Sequence, residues 1–373
     1  MRLLWTSDQH TAHKRTPTHH VLGNLSKFLV VDHDPAKTDI VIFGGDFMED
    51  LVNFKQAEGK AVTKWGGNYL HQSHSINPKM IAVWLEGTSS HDWGQPEHFV
   101  HLAPEGMDVR YVDTLCVHTY EQLDGLTIMY VPDNMGALTP DEIWELALKV
   151  LKENNMDMVD IVCAHFAFDF ELHTKVRHKG HSLERWETIT RHYILAGHIH
   201  TPVSKGKLRR SGSFDRTAHG EEHAKGGYRI EFDKKTDVFE SFFYENKNAL
   251  PYITLNVEPN IQALQLVKDI HACIRENKMP AFSQLRVVGG SSLVVGPVLE
   301  VMAREYPLMG FDSETTKAKD QLLSDDESDH RIYEGITLVK ENIAAHIWEE
   351  AEPRFEQLAI SKDEALNVLQ EFL

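Results

Sequence analysis

Residues 193–200 read Tyr193-Ile194-Leu195-Ala196-Gly197-His198-Ile199-His200. A short apolar run without polar alternation is the pattern of a strand buried on both faces. The glycine at its end lets the chain turn sharply, and neutral imidazole is the commonest metal ligand among side chains. The same arrangement recurs along the chain. Residues 2–6 lead into Ser7-Asp8-Gln9-His10, residues 40–43 into Gly44-Gly45-Asp46, and residues 159–163 into Ala164-His165. Residues 80–85 lead into Glu86-Gly87-Thr88-Ser89-Ser90-His91-Asp92. Each run is bounded by turn residues and delivers Asp, His or a small polar residue at its end.

Helical patterns lie between these strands. Thr139 is placed as an N-cap, Pro140 suits the first helical position, and Glu142 completes a capping box. Ile143, Leu146, Ala147 and Val150 continue as an apolar stripe. Strands alternating with helices imply a layered α/β domain, and sheets of that kind place their sites at strand ends. Residues 207–213, 227–232 and 238–244 read as further strands, and the main domain is expected to span 1–246. Residues 250–310 carry strand, helix, strand and helix in turn, a small α/β cap. Residues 311–335, with Ser324-Asp325-Asp326-Glu327-Ser328-Asp329 at their core, read as an acidic linker. Residues 336–373 read as a helical tail, with Ile336, Val339, Ile343, Ile347 and Trp348 broadly on one face.

Composition narrows the function classes. The 373 residues allow one large domain and one or two small ones. No apolar run approaches the roughly 20 residues of a membrane span, and no secretory signal is evident. The three cysteines, Cys116, Cys163 and Cys273, are too few and scattered for a disulfide framework or zinc knuckle, which suits a reducing, cytoplasmic setting. A net charge of −18 argues against a generic nucleic-acid coat protein, and 23 histidines direct attention to metal binding.

A two-metal hydrolase needs one carboxylate bridging cations about 3.5–4 Å apart and further ligands on either side. Imidazole and carboxylate together suit manganese, iron or zinc better than calcium or magnesium. Asp8 and His10 lie two apart, His198 and His200 repeat that spacing, and Asp46 comes directly after two glycines.

The ordered set Asp8-x-His10, Gly45-Asp46, the His91-Asp92 corner, His165 and Gly197-His198-x-His200 resembles the calcineurin-like metallophosphoesterase superfamily over about the first 200 residues. The resemblance implies a four-layer α/β fold, a β-sandwich flanked by helices. It implies a first metal on Asp8, His10, Asp46 and His200, and a second on Asp46 as bridge, His165 and His198. It places His91 over the scissile phosphate as a catalytic residue, with Asp92 beside it. The family's third motif usually reads Gly-Asn-His-Asp, and its Asn ligates the second metal. Here Ser90 stands directly before His91, so Ser90 is expected to be a weak ligand there.

A second resemblance is narrower. Arg210-Ser211-Gly212-Ser213-Phe214-Asp215-Arg216-Thr217 and Lys225-Gly226-Gly227-Tyr228-Arg229-Ile230-Glu231-Phe232 are similar to the segment after the last histidine pair of SbcD-type nucleases, which serve double-strand-break repair and recombination. The departures suggest a divergent, phage-type member. This resemblance implies manganese-dependent exonuclease and endonuclease activity on DNA, a homodimer, an SbcC-type coiled-coil ATPase partner that the tail contacts, and a bacterial or phage-infected cytoplasm. Lys205, Lys207, Arg209 and Arg210 are either DNA-phosphate contacts or a solvated strand pair. The loop carrying His173, Arg177, His178, Lys179 and His181 either lines a substrate groove or is ordinary surface, and Trp84 and Trp93 are expected in the core. Two other functions stay open: hydrolysis of small phosphodiesters or phosphoproteins, and a non-catalytic scaffold, against which the intact ligand set counts.

Overall fold

The computed structural model describes residues 1–135 and 138–316. Two six-stranded mixed sheets form its body. In the first, β1 (Arg2–Thr6), β2 (Ile40–Phe43), β3 (Ile81–Leu85) and β4 (Asp108–Val112) run parallel. The second sheet holds β5 (Cys116–Tyr120), β6 (Leu126–Val131), β7 (Val159–His165), β8 (Thr190–Gly197), β9 (Val203–Lys205) and β10 (Leu208–Arg210), in spatial order 5-6-7-8-10-9 with a parallel centre. β11 (Gly226–Asp233) and β12 (Val238–Glu245) then return to the first sheet and extend it antiparallel beyond β1.

The alternation of side chains along the strands explains the layering. Leu3, Trp5, Ile40, Ile42, Ile81 and Val83 of one sheet share a buried cluster with Ile128, Tyr130, Ile161, Cys163 and Leu195 of the other. Their sequence neighbours point the opposite way. Leu4, Val41, Phe43 and Trp84 pack with residues of α1 (Thr18–Ser26) and α2 (Ala57–Ile76), near the short α3 (His98–His101). Met129, Val162, Ala164 and Ala196 pack with residues of α4 (Pro140–Glu153) and α5 (Leu183–Thr188). Helices, sheet, sheet and helices thus make four layers, and both faces of each central strand are buried, so its sequence reads as continuously apolar. The capping box forms as expected, with Glu142 N donating to Thr139 Oγ1 (3.3 Å) and Thr139 N donating to Glu142 Oε2 (2.7 Å).

The cap is a three-stranded parallel sheet, β13 (Tyr252–Val257), β14 (Gln284–Ser291) and β15 (Gly310–Thr316), with α6 (Ala263–Glu276) and α7 (Ser292–Glu305). The expected linker from 311 therefore begins too early. Arg286 on β14 meets Asp312 (3.1 Å) and Glu314 (2.6 Å), which lets these acidic residues occupy the neighbouring strand. The rest of the expected linker, 317–335, and the expected tail, 336–373, lie outside the described residues.

Candidate metal centre

Parallel strands bring their carboxyl ends to one edge, so β1, β2, β3, β6, β7 and β8 deliver their loops together. Among the described residues, ligand atoms of Asp8, His10 and His200 lie within 4.8 Å of one another, as do those of Asp46, His165 and His198. The clusters adjoin, because the His198 backbone N–H donates to both Asp8 carboxylate oxygens (3.0 and 3.2 Å). The backbone is left-handed at Asp8 (φ 53°), His10 (φ 47°), Asp46 (φ 50°) and His198 (φ 81°). Such conformations cost on the order of 1–3 kcal/mol each in non-glycine residues and concentrate at functional sites. Gly45 (φ 93°) supplies the tight turn before Asp46, and a β-carbon there would collide with the His165 ring.

Hydrogen-bond partners fix the imidazole protons. His165 Nδ1 lies 2.7 Å from the Gly44 carbonyl, which only accepts, so Nδ1 carries a proton and Nε2 is the atom turned towards Asp46. That buried Nε2 lies 3.1 Å from Asp46 Oδ2 without forming a well-directed hydrogen bond. His200 Nδ1 faces Glu221 Oε1 (2.8 Å), and His10 Nδ1 lies 2.8 Å from Glu49 Oε2. The Nε2 atoms of His10 and His200 then meet at 3.0 Å. Each juxtaposition needs a proton or a cation between its atoms, and this donor set fits divalent metal ions. Burial disfavours charge on His165, yet surrounding carboxylates, Asp46 foremost, push it up to about 10. Burial likewise opposes ionisation of Asp46, but the His165 charge outweighs it and holds the carboxyl far below the usual range.

His91 belongs to this assembly. Its Nδ1 donates to the Glu49 carbonyl (2.6 Å), and its ring sits edge-on to His10 with centroids 5.0 Å apart. Asp92 does not share its role. That side chain is fully buried, with Oδ1 accepting from Met48 N (3.0 Å) and Oδ2 from Gly87 N (2.9 Å). Burial and the nearby Asp46 charge push its pKa up to about 8. Asp92 braces the loops after β2 and β3 and has no free oxygen for chemistry.

The expectation for Ser90 is also corrected. Ser90 is exposed, and its carbonyl accepts from Trp93 Nε1 (2.9 Å). Thr88 occupies the position beside the second cluster. Its N–H donates to Asp46 Oδ1 (2.6 Å), and its Oγ1 lies 3.3 Å from Asp46 Oδ2 and 3.4 Å from His198 Nδ1. Counting from Gly87 rather than back from His91 locates it: Thr88 follows Gly87 directly, two positions before Ser90. Gly87 permits this approach, since a β-carbon there would strike Asp46.

Three of the basic quartet are engaged by their own chain. Arg210 is fully buried, pairs with Glu171 Oε2 (2.8 Å), and donates to the carbonyls of Phe166 (2.9 Å) and Gly197. Lys207 Nζ donates to the carbonyls of Glu187 and Thr190, and Arg209 donates to Ser241 Oγ and to two backbone carbonyls. Lys205 is exposed, with its ammonium over the Phe170 ring at 3.9 Å. In the loop after β7, Lys179 and His181 line a cavity of about 380 Å³ that also reaches Asp133 and His198, while His173 is exposed. Trp84 is in the core as expected, but Trp93 is 59% exposed on the His91 loop.

Three carboxylates at the site were not anticipated. Glu49 and Glu221 stand behind the first-cluster imidazoles, and Glu221 is itself held by Lys225 (2.8 Å), Ser213 and Thr217. The segment 210–232 thus supports His200. Asp133 comes after β6 as Asp46 comes after β2, so the strand-end pattern that found the other ligands also marks it. No protein-family model and no curated protein matches this chain.

Proposed function

We propose that this chain is a two-metal phosphodiesterase of the calcineurin-like type, acting on DNA as the SbcD resemblance implies. The observation that carries the proposal is the pair of adjoining clusters, Asp8–His10–His200 and Asp46–His165–His198, with the His10 and His200 Nε2 atoms converging and His91 alongside. Two divalent cations, with manganese the best fit, supply Lewis acidity for phosphate and water there. The residues divide the remaining work. Asp46 would hold both ions, Glu49 and Glu221 orient the imidazoles of His10 and His200, and the Nδ1–H of His91, fixed on the Glu49 carbonyl, leaves its Nε2 to carry a proton to the leaving oxygen. A homodimer and an SbcC-type ATPase are the partners this reading carries with it.

One observation favours a second reading, hydrolysis of small phosphodiesters. Lys207, Arg209 and Arg210 are engaged by their own chain, and the net charge of −18 offers DNA no general attraction. The test is manganese-dependent hydrolysis of linear duplex DNA, single-stranded DNA and bis(p-nitrophenyl) phosphate, each with and without a coiled-coil ATPase encoded beside this chain. Cleavage of DNA supports the first reading. Turnover of the chromogenic ester alone supports the second, and turnover of none of these with manganese, magnesium, iron or zinc refutes both.

A further inference from the structure

Asp133 stands where two carboxylates and an imidazole crowd one hydroxyl. Its Oδ2 lies 3.2 Å from Thr88 Oγ1 and 3.5 Å from His198 Nδ1. The same Thr88 Oγ1 lies 3.3 Å from Asp46 Oδ2 and 3.4 Å from His198 Nδ1. A hydroxyl has one proton to give, so it cannot satisfy the Asp46 and Asp133 carboxylate oxygens together. The side chain of Asp133 is 32% exposed and that of His198 34%, so both open towards the cavity they line.

The fold accounts for this placement. β6 lies parallel beside β7, with Val131 opposite Ala164, the residue before His165. Pro132 ends the ladder, having no N–H to donate, and the Asp133 N–H is caught by the Glu86 carbonyl (3.3 Å) at the end of β3. Asp133 is therefore held between the strand that delivers His165 and the loop that delivers Thr88.

We propose that Asp133 is a ligand of the second cation, supplying the oxygen that the short Thr88 hydroxyl supplies only weakly. The inference rests on the two-metal reading above. Each cation then has its own carboxylate, Asp8 on one side and Asp133 on the other, besides two imidazoles and the shared Asp46. An anionic oxygen in place of a neutral one makes the second site harder and more tightly binding, which suits manganese. It also leaves less net positive charge on the pair, so the second ion is held firmly at the expense of Lewis acidity.

Manganese titration calorimetry on the full chain, with free manganese counted by electron paramagnetic resonance, tests this without reference to catalysis. The wild type should bind two ions. Asp133→Ala should bind the first normally and the second at least about tenfold more weakly, the scale on which even a ligand's supporting partner acts. Asp133→Asn should fall between, since its amide oxygen ligates without charge, and Thr88→Ala should cost less than Asp133→Ala. Circular dichroism checks the fold, and the near-isosteric Asp133→Asn carries the test should Asp133→Ala not fold. Two ions bound with wild-type affinity by either Asp133 variant would overturn the proposal, as would equal weakening of both ions. A wild type that binds no manganese would instead remove the two-metal reading itself.

Discussion

Replacing Arg210 with alanine separates two accounts of this residue. As a phosphate contact, Arg210→Ala would weaken DNA binding and leave stability unchanged. The structure instead buries the guanidinium completely, against Glu171 and the carbonyls of Phe166 and Gly197. These carbonyls belong to the residues just after His165 and just before His198, so Arg210 ties together the ends of β7 and β8. Truncation would leave the Glu171 carboxylate, only 5% exposed, with Phe168 N–H as its remaining donor (2.8 Å). Removing one partner of a buried pair costs about 3–5 kcal/mol, a large share of the roughly 5–15 kcal/mol that holds a typical domain folded. Urea unfolding monitored by tryptophan fluorescence should show a lower midpoint with an unchanged slope. The double variant Arg210→Met/Glu171→Met should recover much of the loss, because neither charge is then stranded. An Arg210→Ala protein that unfolds at the wild-type midpoint yet binds DNA less tightly would refute this reasoning.

The metal site sets further expected outcomes. Asp46→Ala should lose both metal ions and all hydrolysis while keeping the wild-type circular dichroism spectrum, as elemental analysis of the purified variant would show. His91→Ala should keep its ions but lose about 10²–10⁴ in turnover, the range of a general acid; near wild-type rates would remove His91 from the chemistry. Ser90→Asn should leave manganese affinity unchanged by calorimetry, because Ser90 faces solvent and Thr88 holds the inner position. His181 is buried against Phe166 and accepts from Trp186 Nε1 (3.3 Å), and burial pushes its pKa down to about 4. Its contribution to stability is complete above the unfolded value near 6.5 and falls away as pH drops towards 4. His181→Gln should therefore flatten that part of the stability–pH profile by up to about 3 kcal/mol in denaturant titrations.

The order of strands and the six residues that gather into the two clusters, Asp8, His10, Asp46, His165, His198 and His200, were legible in the sequence for a local reason. A strand buried on both faces must be apolar throughout, so its end is marked where polar residues resume, and parallel strands carry those ends to one edge. The Thr139 cap and the helix it starts were legible on the same ground, since capping acts within a single turn. Side chains whose partners lie far along the chain were not. Arg210 resembles its basic neighbours in sequence, and only its meeting with Glu171 makes it a buried brace. Asp92 reads as a catalytic neighbour of His91 until the folded loops present Met48 N–H and Gly87 N–H to its two oxygens. Thr88, rather than Ser90, reaches the second cluster because the loop after β3 is anchored at Gly87 against Asp46. Glu49 and Glu221 acquire meaning only where the loops converge. A ligand's position along its own strand is a local property, whereas the direction in which a loop side chain points depends on which distant backbone and charged groups it meets.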